Sequence, residues 1–246
     1  MSRGYTAREW IGSLLHWLVI VVSAPLWALA SLATWPLSYT VRYRVTIGWA
    51  HLVIRSFELL CGVRYRIEGL ENIPAQPAVV MAKHQSVWET LALARWFRPQ
   101  TWVLKRSLLR IPFFGWGLRL LEPIAIDRQS AAAARQEVLR QGVDRLQRGR
   151  WVVVFPEGTR MPPGQKGRYR SSGAEVAQRA GRPVVPVAHN AGALWPRDGL
   201  LRRSGTLEVR IGPPIPTEGR SPAEVTAEVE AWIEARMAEL PQRAGS

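Results

Sequence analysis

From Trp10 to Val41 the chain has no Asp, Glu, Lys or Arg, an uncharged run of 32 residues. A water-facing element needs charges on its outer side, so a run this long must be buried or meet something other than water. Its most apolar part, Ile11–Trp35, would measure about 37 Å as one helix at ~1.5 Å per residue. A bilayer's hydrocarbon core is ~30 Å thick, so length permits a span. Pro25 sits mid-run and Pro36 near its end, and a kink or a helical hairpin fits as well. Arg3 and Arg8 precede the run, and Arg42 and Arg44 follow it. With basic residues on both sides the positive-inside rule selects no orientation, which favours a segment that enters and returns on the cytoplasmic side. Two alternatives stand beside membrane attachment. Ala28-Leu29-Ala30 mimics a signal-peptide cleavage site, although apolar sequence continues past it. The run could also be a buried hairpin of a soluble protein.

Val45–Cys61 reads as a second, amphipathic helix: Trp49, Leu52, Val53, Phe57 and Leu60 recur at helical spacing, with Arg55 and Glu58 facing elsewhere. Trp10, Trp17, Trp27, Trp35 and Trp49 all fall in the first fifty residues, and tryptophan concentrates where hydrocarbon meets headgroup. Residues 1–61 therefore form a membrane-associated helical segment, and 62–246 an α/β domain.

After Gly62 short β-branched runs alternate with helical ones. The expected strands are Val63–Ile67, Ala78–Ala82, Thr101–Leu104, Ile124–Ile126, Trp151–Phe155, Val184–Ala188 and Thr206–Ile211. The expected helices are Val87–Phe97, Gly115–Leu121, Ala131–Gln147, Ser172–Ala180 and Pro222–Leu240, with Pro241–Ser246 as a frayed tail. This alternation predicts an α/β fold, a sheet covered by helices on both faces. With 246 residues the chain can bury a core without disulfides. The lone Cys61 excludes an intrachain disulfide and a cysteine-based zinc site. A net charge of +14 points to polyanionic partners: phosphorylated substrates, anionic membrane or nucleic acid.

Four blocks carry candidate chemistry. Lys83-His84-Gln85-Ser86-Val87-Trp88-Glu89-Thr90 follows a strand and opens a helix. On one continuous helix His84 and Glu89 would point about 140° apart. If the helix starts at Ser86, His84 folds back over the first turn and Glu89 reaches its imidazole, fixing the tautomer and leaving the other nitrogen as a base. A capping box of Ser86 and Glu89, with His84 incidental, is the competing account. Phe155-Pro156-Glu157-Gly158-Thr159-Arg160 follows the run Trp151–Val154, at a strand's carboxyl end where open α/β sheets bind ligands. Arg160 offers a planar fork for phosphate oxygens, unless it simply pairs with Glu157. Ile124-Ala125-Ile126-Asp127-Arg128 is preceded by Lys105 and a Gly-rich run, and reads either as a site or as a surface ion pair. In Val184–Gly192, His189 reads as structural, since no carboxylate stands near it in sequence. Only Lys83, Lys105 and Lys166 are lysines, against thirty arginines, and each lies in or beside a block. A Gly-x-Ser-x-Gly elbow, a Walker loop, a dinucleotide fingerprint and His-Glu-x-x-His are all missing, so a covalent nucleophile has no good candidate.

Taken together and in this order, the four blocks resemble those of the glycerolipid acyltransferases, most closely the bacterial 1-acyl-sn-glycerol-3-phosphate acyltransferases. The resemblance covers roughly Val63 to Ile215 plus the apolar N-terminus, and implies the family's α/β fold, a mixed sheet flanked by helices with an N-terminal apolar helical membrane-anchoring segment. One departure stands out: Glu89 occupies the position of the family's Asp. The resemblance implies transfer of an acyl chain from acyl-CoA or acyl-carrier protein to the sn-2 hydroxyl of lysophosphatidic acid. In it His84 is the general base and Glu89 its orienting acid, while Lys105, Arg128, Glu157, Gly158, Thr159 and Arg160 bind substrate. A backbone amide near Gly158, or Lys105, would stabilise the oxyanion. It implies no metal and no cofactor beyond the acyl donor, with the inner membrane's cytoplasmic side as location. Another lysolipid or glycerol 3-phosphate as acceptor is the nearest alternative. A membrane-anchored nucleic-acid binder is a remote one, and nucleic acid is not expected as a partner.

Overall fold

The structure is a computed structural model and describes residues 4–127 and 131–242. Seven strands form one sheet in the order β1-β7-β6-β2-β5-β3-β4: β1 (Val63–Glu68), β2 (Val79–Ala82), β3 (Gln100–Lys105), β4 (Ile124–Ile126), β5 (Trp151–Val154), β6 (Val184–His189) and β7 (Gly205–Ile211). Neighbours run parallel except β6 and β7, which makes the sheet mixed. The central strands β2, β5 and β6 are buried at every position, as expected for apolar runs covered on both faces.

One face carries α1 (Ala7–Ala33), α2 (Tyr39–Cys61), α3 (Trp88–Ala92) and α4 (Phe114–Leu120). Tyr43, Ile47, Val53 and Phe57 of α2 pack into the same core as Val80, Trp88, Val153 and Leu207. The other face carries α5 (Ala131–Gln147), α6 (Ser172–Arg179) and α8 (Pro222–Glu239), whose Val138, Val176 and Val229 pack on Val79, Val152 and Val184. A short helix, α7 (Ala191–Leu194), follows β6. Strand positions match expectation within one or two residues. The expected helix Val87–Phe97 is shorter: α3 ends at Ala92 and passes into a 3-10 turn, Leu93–Arg95. Of the expected tail Pro241–Ser246, only residues 241 and 242 are described, and Gln242 is anchored: its amide donates to the Met237 and Leu240 carbonyls.

The uncharged N-terminal run folds as a helical hairpin. α1 continues through Pro25, and the turn at Thr34–Ser38 returns the chain along α2. Gly12 permits the closest approach, since a Cβ there would lie 2.2 Å from the Leu60 carbonyl oxygen. Polar bonds tie the pair together: His16 Nδ1 to Ser56 Oγ (2.9 Å), Trp49 Nε1 to Ser23 Oγ (3.0 Å) and Trp27 Nε1 to the Val45 carbonyl (2.6 Å). The burial of α1 is inverted relative to a soluble helix. Gly12, Ser13, His16, Ala28 and Ser31 face inward, whereas Ile11, Leu14, Leu18, Val21, Val22, Leu26 and Leu29 are each more than half exposed. Among the described residues α1 is the one helix long and apolar enough to cross a membrane.

Candidate active site

β2 and β5 are adjacent and parallel, with Met81 opposite Val154. The segments that leave their carboxyl ends therefore emerge side by side. On the other flank β6 sets Ala82 opposite Val187. Register alone brings His84, Phe155 and His189 to one crest of the sheet, and the His84 ring stacks on Phe155 with centroids 4.1 Å apart.

His84 lies outside α3 and folds back over its first turn. Its Nδ1 is 2.8 Å from Glu89 Oε1, which also accepts from the backbone N–H of Gln85 (2.8 Å) and Ser86 (2.7 Å). The helix starts at Trp88, two residues later than the Ser86 start considered above, and only half of the capping box forms. Glu89 reaches back to the Ser86 amide, but Ser86 Oγ accepts from Trp88 N. Burial alone would push the Glu89 carboxyl up. The bond from His84, the attraction of the two neighbouring imidazole rings and the Ser86 amide outweigh it and hold the group at about 2. A carboxylate that accepts from Nδ1–H leaves Nε2 with its lone pair free, and the His84 side chain is 15% exposed, enough for a substrate to reach.

His189 is completely buried, and a carboxylate does lie near it in space: its Nε2 is 3.9 Å from Glu89 Oε2. That separation is too long for a hydrogen bond. Nε2 lies 2.9 Å from the Lys83 carbonyl and Nδ1 accepts from the Ala191 amide. Burial lowers the His189 pKa, so it stays neutral as a support beneath Glu89.

Glu157, expected to touch substrate, is committed elsewhere. Its buried carboxylate accepts from Lys83 Nζ (2.8 Å), the His84 amide (3.1 Å) and the Gly167 amide (2.9 Å). It therefore does not pair with Arg160; it holds the turn and the His84 backbone. Lys83 also bonds Glu234 of α8 at 2.9 Å, and Tyr169 donates to the same carboxylate. Sequence reasoning missed Glu234, which lies 151 residues from Lys83 and has no local signal. The Gly158 amide donates to the Phe155 carbonyl inside a turn. Gly158 itself sits at φ +67°, a conformation that costs glycine little.

A cavity of about 420 Å³ opens beside His84. Ala24, Trp27 and Ala28 of α1, Ile47 and Ala50 of α2, and Phe114 and Leu118 of α4 give it apolar walls. His84, Lys105, Gly158, Thr159 and Arg160 also line it, so these expected residues come together. Arg197 joins them, donating to the Arg160 carbonyl; nothing in its sequence neighbourhood signalled this. Arg160 is half-buried and Lys105 exposed, and among the described residues neither side chain has a carboxylate partner. Arg128 lies outside the described residues. Cys61 is buried and burial pushes its thiol up to about 11, which makes it a poor nucleophile. No group of three or more metal-ligating side chains occurs among the described residues.

Fold and site thus define an α/β enzyme with an imidazole–carboxylate pair at the carboxyl edge of its sheet, facing a deep apolar cavity. The acyltransferase family model matches residues 64–190. A 1-acyl-sn-glycerol-3-phosphate acyltransferase of Pseudomonas aeruginosa is 44% identical over 235 residues, 94% of this chain and 91% of that protein. One of Saccharomyces cerevisiae is 33% identical over 172 residues, 65% of this chain and 54% of that protein. The crystal structure of PlsC, the 1-acyl-sn-glycerophosphate (LPA) acyltransferase of Thermotoga maritima, superposes with a TM-score of 0.79. It covers 97% of this chain and 98% of its own at 24% identity, a likeness of fold. The chain belongs to the acyltransferase family, with relatives that act in phospholipid synthesis, and is an acyltransferase.

Proposed function

We propose that the protein transfers an acyl chain from an acyl thioester, acyl-CoA or acyl-carrier protein, to the sn-2 hydroxyl of 1-acyl-sn-glycerol 3-phosphate, giving phosphatidic acid. The observation that carries this reading is the free Nε2 of His84, braced by Glu89, beside a cavity with apolar walls and a cationic group of Lys105 and Arg160. His84 Nε2 removes the proton from the acceptor hydroxyl as its oxygen attacks the thioester carbonyl carbon. The tetrahedral intermediate collapses with formation of the ester C–O bond and cleavage of the C–S bond. The leaving thiolate takes the proton back from His84. Glu89 stabilises the transient imidazolium without itself being protonated, in keeping with a carboxyl held at about 2. Arg160 and Lys105 take the acceptor phosphate, Thr159 and Gly158 border the glycerol, and Glu157 holds the turn. Arg128, two residues beyond the end of β4 in sequence, is a further candidate for the phosphate. The cavity takes an acyl chain.

The acceptor is a lipid, and the outward apolar face of α1 fits attachment to a membrane. The hairpin leaves the α/β body and returns to it: the Ser204 amide donates to Glu9, near the start of α1, and α2 ends at Cys61, capped by Gly62 next to β1. This geometry suits insertion into one leaflet, which for a bacterial enzyme using cytosolic donors is the cytoplasmic side of the inner membrane. Leu108, Ile111, Phe113, Phe114 and Trp116 extend the exposed apolar surface to the cavity's α4 wall, so a lipid tail reaches the cavity from the bilayer. The test is product identity. Purified protein supplied with acyl-CoA and either lysophosphatidic acid or glycerol 3-phosphate should form phosphatidic acid acylated at sn-2 from the first at a much higher rate. Preferred use of glycerol 3-phosphate would overturn the acceptor assignment.

A further inference from the structure

A second cavity, about 880 Å³, lies across the sheet from the apolar one. Val138 of α5 and Val154 of β5 contribute to its walls, on the face covered by α5, α6 and α8. The two cavities share His84, Val103, Phe155 and Gly158 and so meet at the proposed base. Their linings differ in character. The second carries Arg135, Arg168, Arg170, Ser171 and Ser172. Its acids are neutralised within the protein: Glu157 by Lys83 and Glu230 by Lys166. Arg135 is paired with Glu175. Among the described residues Arg168 and Arg170 have no carboxylate partner, and both are exposed. The Arg170 guanidinium carbon is 3.5 Å from where a side chain on Gly158 would begin, so this cation lies against the turn beside His84.

This arrangement answers a problem left by the acyl-transfer reading, on which the following rests. A thioester donor has two unlike ends on either side of the reacting carbon. The hydrocarbon side belongs in the apolar cavity, and the sulfur leads to a long polar arm that ends in phosphate. With the carbonyl at His84 the arm needs a polar exit from that same point. We propose that the second cavity is the channel for the donor's phosphopantetheine arm, with Arg168 and Arg170 holding its phosphate. Guanidinium forks suit phosphate oxygens, and charge-assisted bonds of this kind are the strong ones. Phosphopantetheine is common to acyl-CoA and acyl-carrier protein, so the assignment covers both sources.

Steady-state kinetics on the full-length enzyme with three donors test it: acyl-CoA, acyl-carrier protein and S-acyl-pantetheine, which lacks the phosphate. Arg168→Ala with Arg170→Ala should raise the donor KM about tenfold or more for the two phosphorylated donors. It should leave the lysophosphatidic acid KM unchanged, and turnover of S-acyl-pantetheine should equal that of the wild type, which also shows that the variant is folded. A rise in acceptor KM instead would give the channel to the acceptor's phosphate and overturn the proposal. Equal loss with the phosphate-free donor would reduce the arginines to a structural role. An effect on acyl-CoA alone would overturn the assignment to the shared phosphate. Wild-type failure with every donor would overturn the acyl-transfer reading itself, and this proposal with it.

Discussion

Glu89 Oε1 accepts three N–H groups at 2.7–2.8 Å, one from the base and two from the backbone that carries the base. A single oxygen thus fixes the His84 tautomer and the path of the chain around it. Glu89→Gln keeps the volume but allows the amide to present N–H to Nδ1. We expect kcat to fall about 10³-fold or more, as when a triad acid is amidated and the wrong tautomer results, while the thioester KM changes little. Glu89→Asp keeps the charge but shortens the reach, and should fall between Gln and wild type. The same carboxylate links stability to pH. Its folded pKa is depressed to about 2 from the ordinary carboxyl value of 4.5, so its contribution is fully present above 4.5 and is lost as pH falls towards 2. The size is on the order of 3 kcal/mol, at 1.36 kcal/mol per pKa unit. Denaturant unfolding across that interval should show a steeper loss for wild type than for Glu89→Gln. Much of this pair was readable in the sequence, because a base before a helix and an acid in its first turn are local neighbours. The engagement of Glu157 with Lys83 was not readable. Both are motif residues, but their contact and that of Glu234 depend on which strands and helices become neighbours in space.

The hairpin shows what the period of a helix reveals and what it conceals. The absence of charge over Trp10–Val41 pointed to an unusual environment, and Pro25 and Pro36 left a kink or a hairpin open. Periodicity left open which face of α1 meets the protein. The structure turns small and polar residues inward, because Gly12 must admit the Leu60 carbonyl and His16 finds Ser56, and leaves the leucines and valines outward. Two predictions belong to this element. Gly12→Val would drive a side chain into the Leu60 carbonyl and should destabilise the protein by about 1–3 kcal/mol in thermal unfolding, through overpacking. Leu18→Glu with Val22→Glu alters only exposed positions. It should leave the unfolding transition intact and weaken co-sedimentation with phospholipid vesicles. Undiminished sedimentation would contradict membrane attachment through this face.

Across the whole molecule, β2 at the centre of the sheet is the organising feature. Its neighbours β5 and β6 come from segments about seventy and one hundred residues downstream, and their parallel register delivers Phe155 and His189 to the two flanks of His84. The strands themselves were legible from β-branched runs bounded by Gly and Pro. Their order, and the antiparallel β7 beside β6, were not, because pairing is settled by the packing of whole layers. The same layering sets an apolar cavity on the hairpin side and a cationic one on the other, with one histidine between them. The central claim is that this histidine is the base for acyl transfer. It is tested most directly by the rate of free-thiol release from acyl-CoA with lysophosphatidic acid as acceptor, wild type against His84→Ala. The account predicts that the variant, with an unchanged unfolding transition, loses about 10³-fold or more in kcat. A variant that retained turnover within about tenfold of wild type would contradict it, since general-base catalysis is worth ~10²–10⁴.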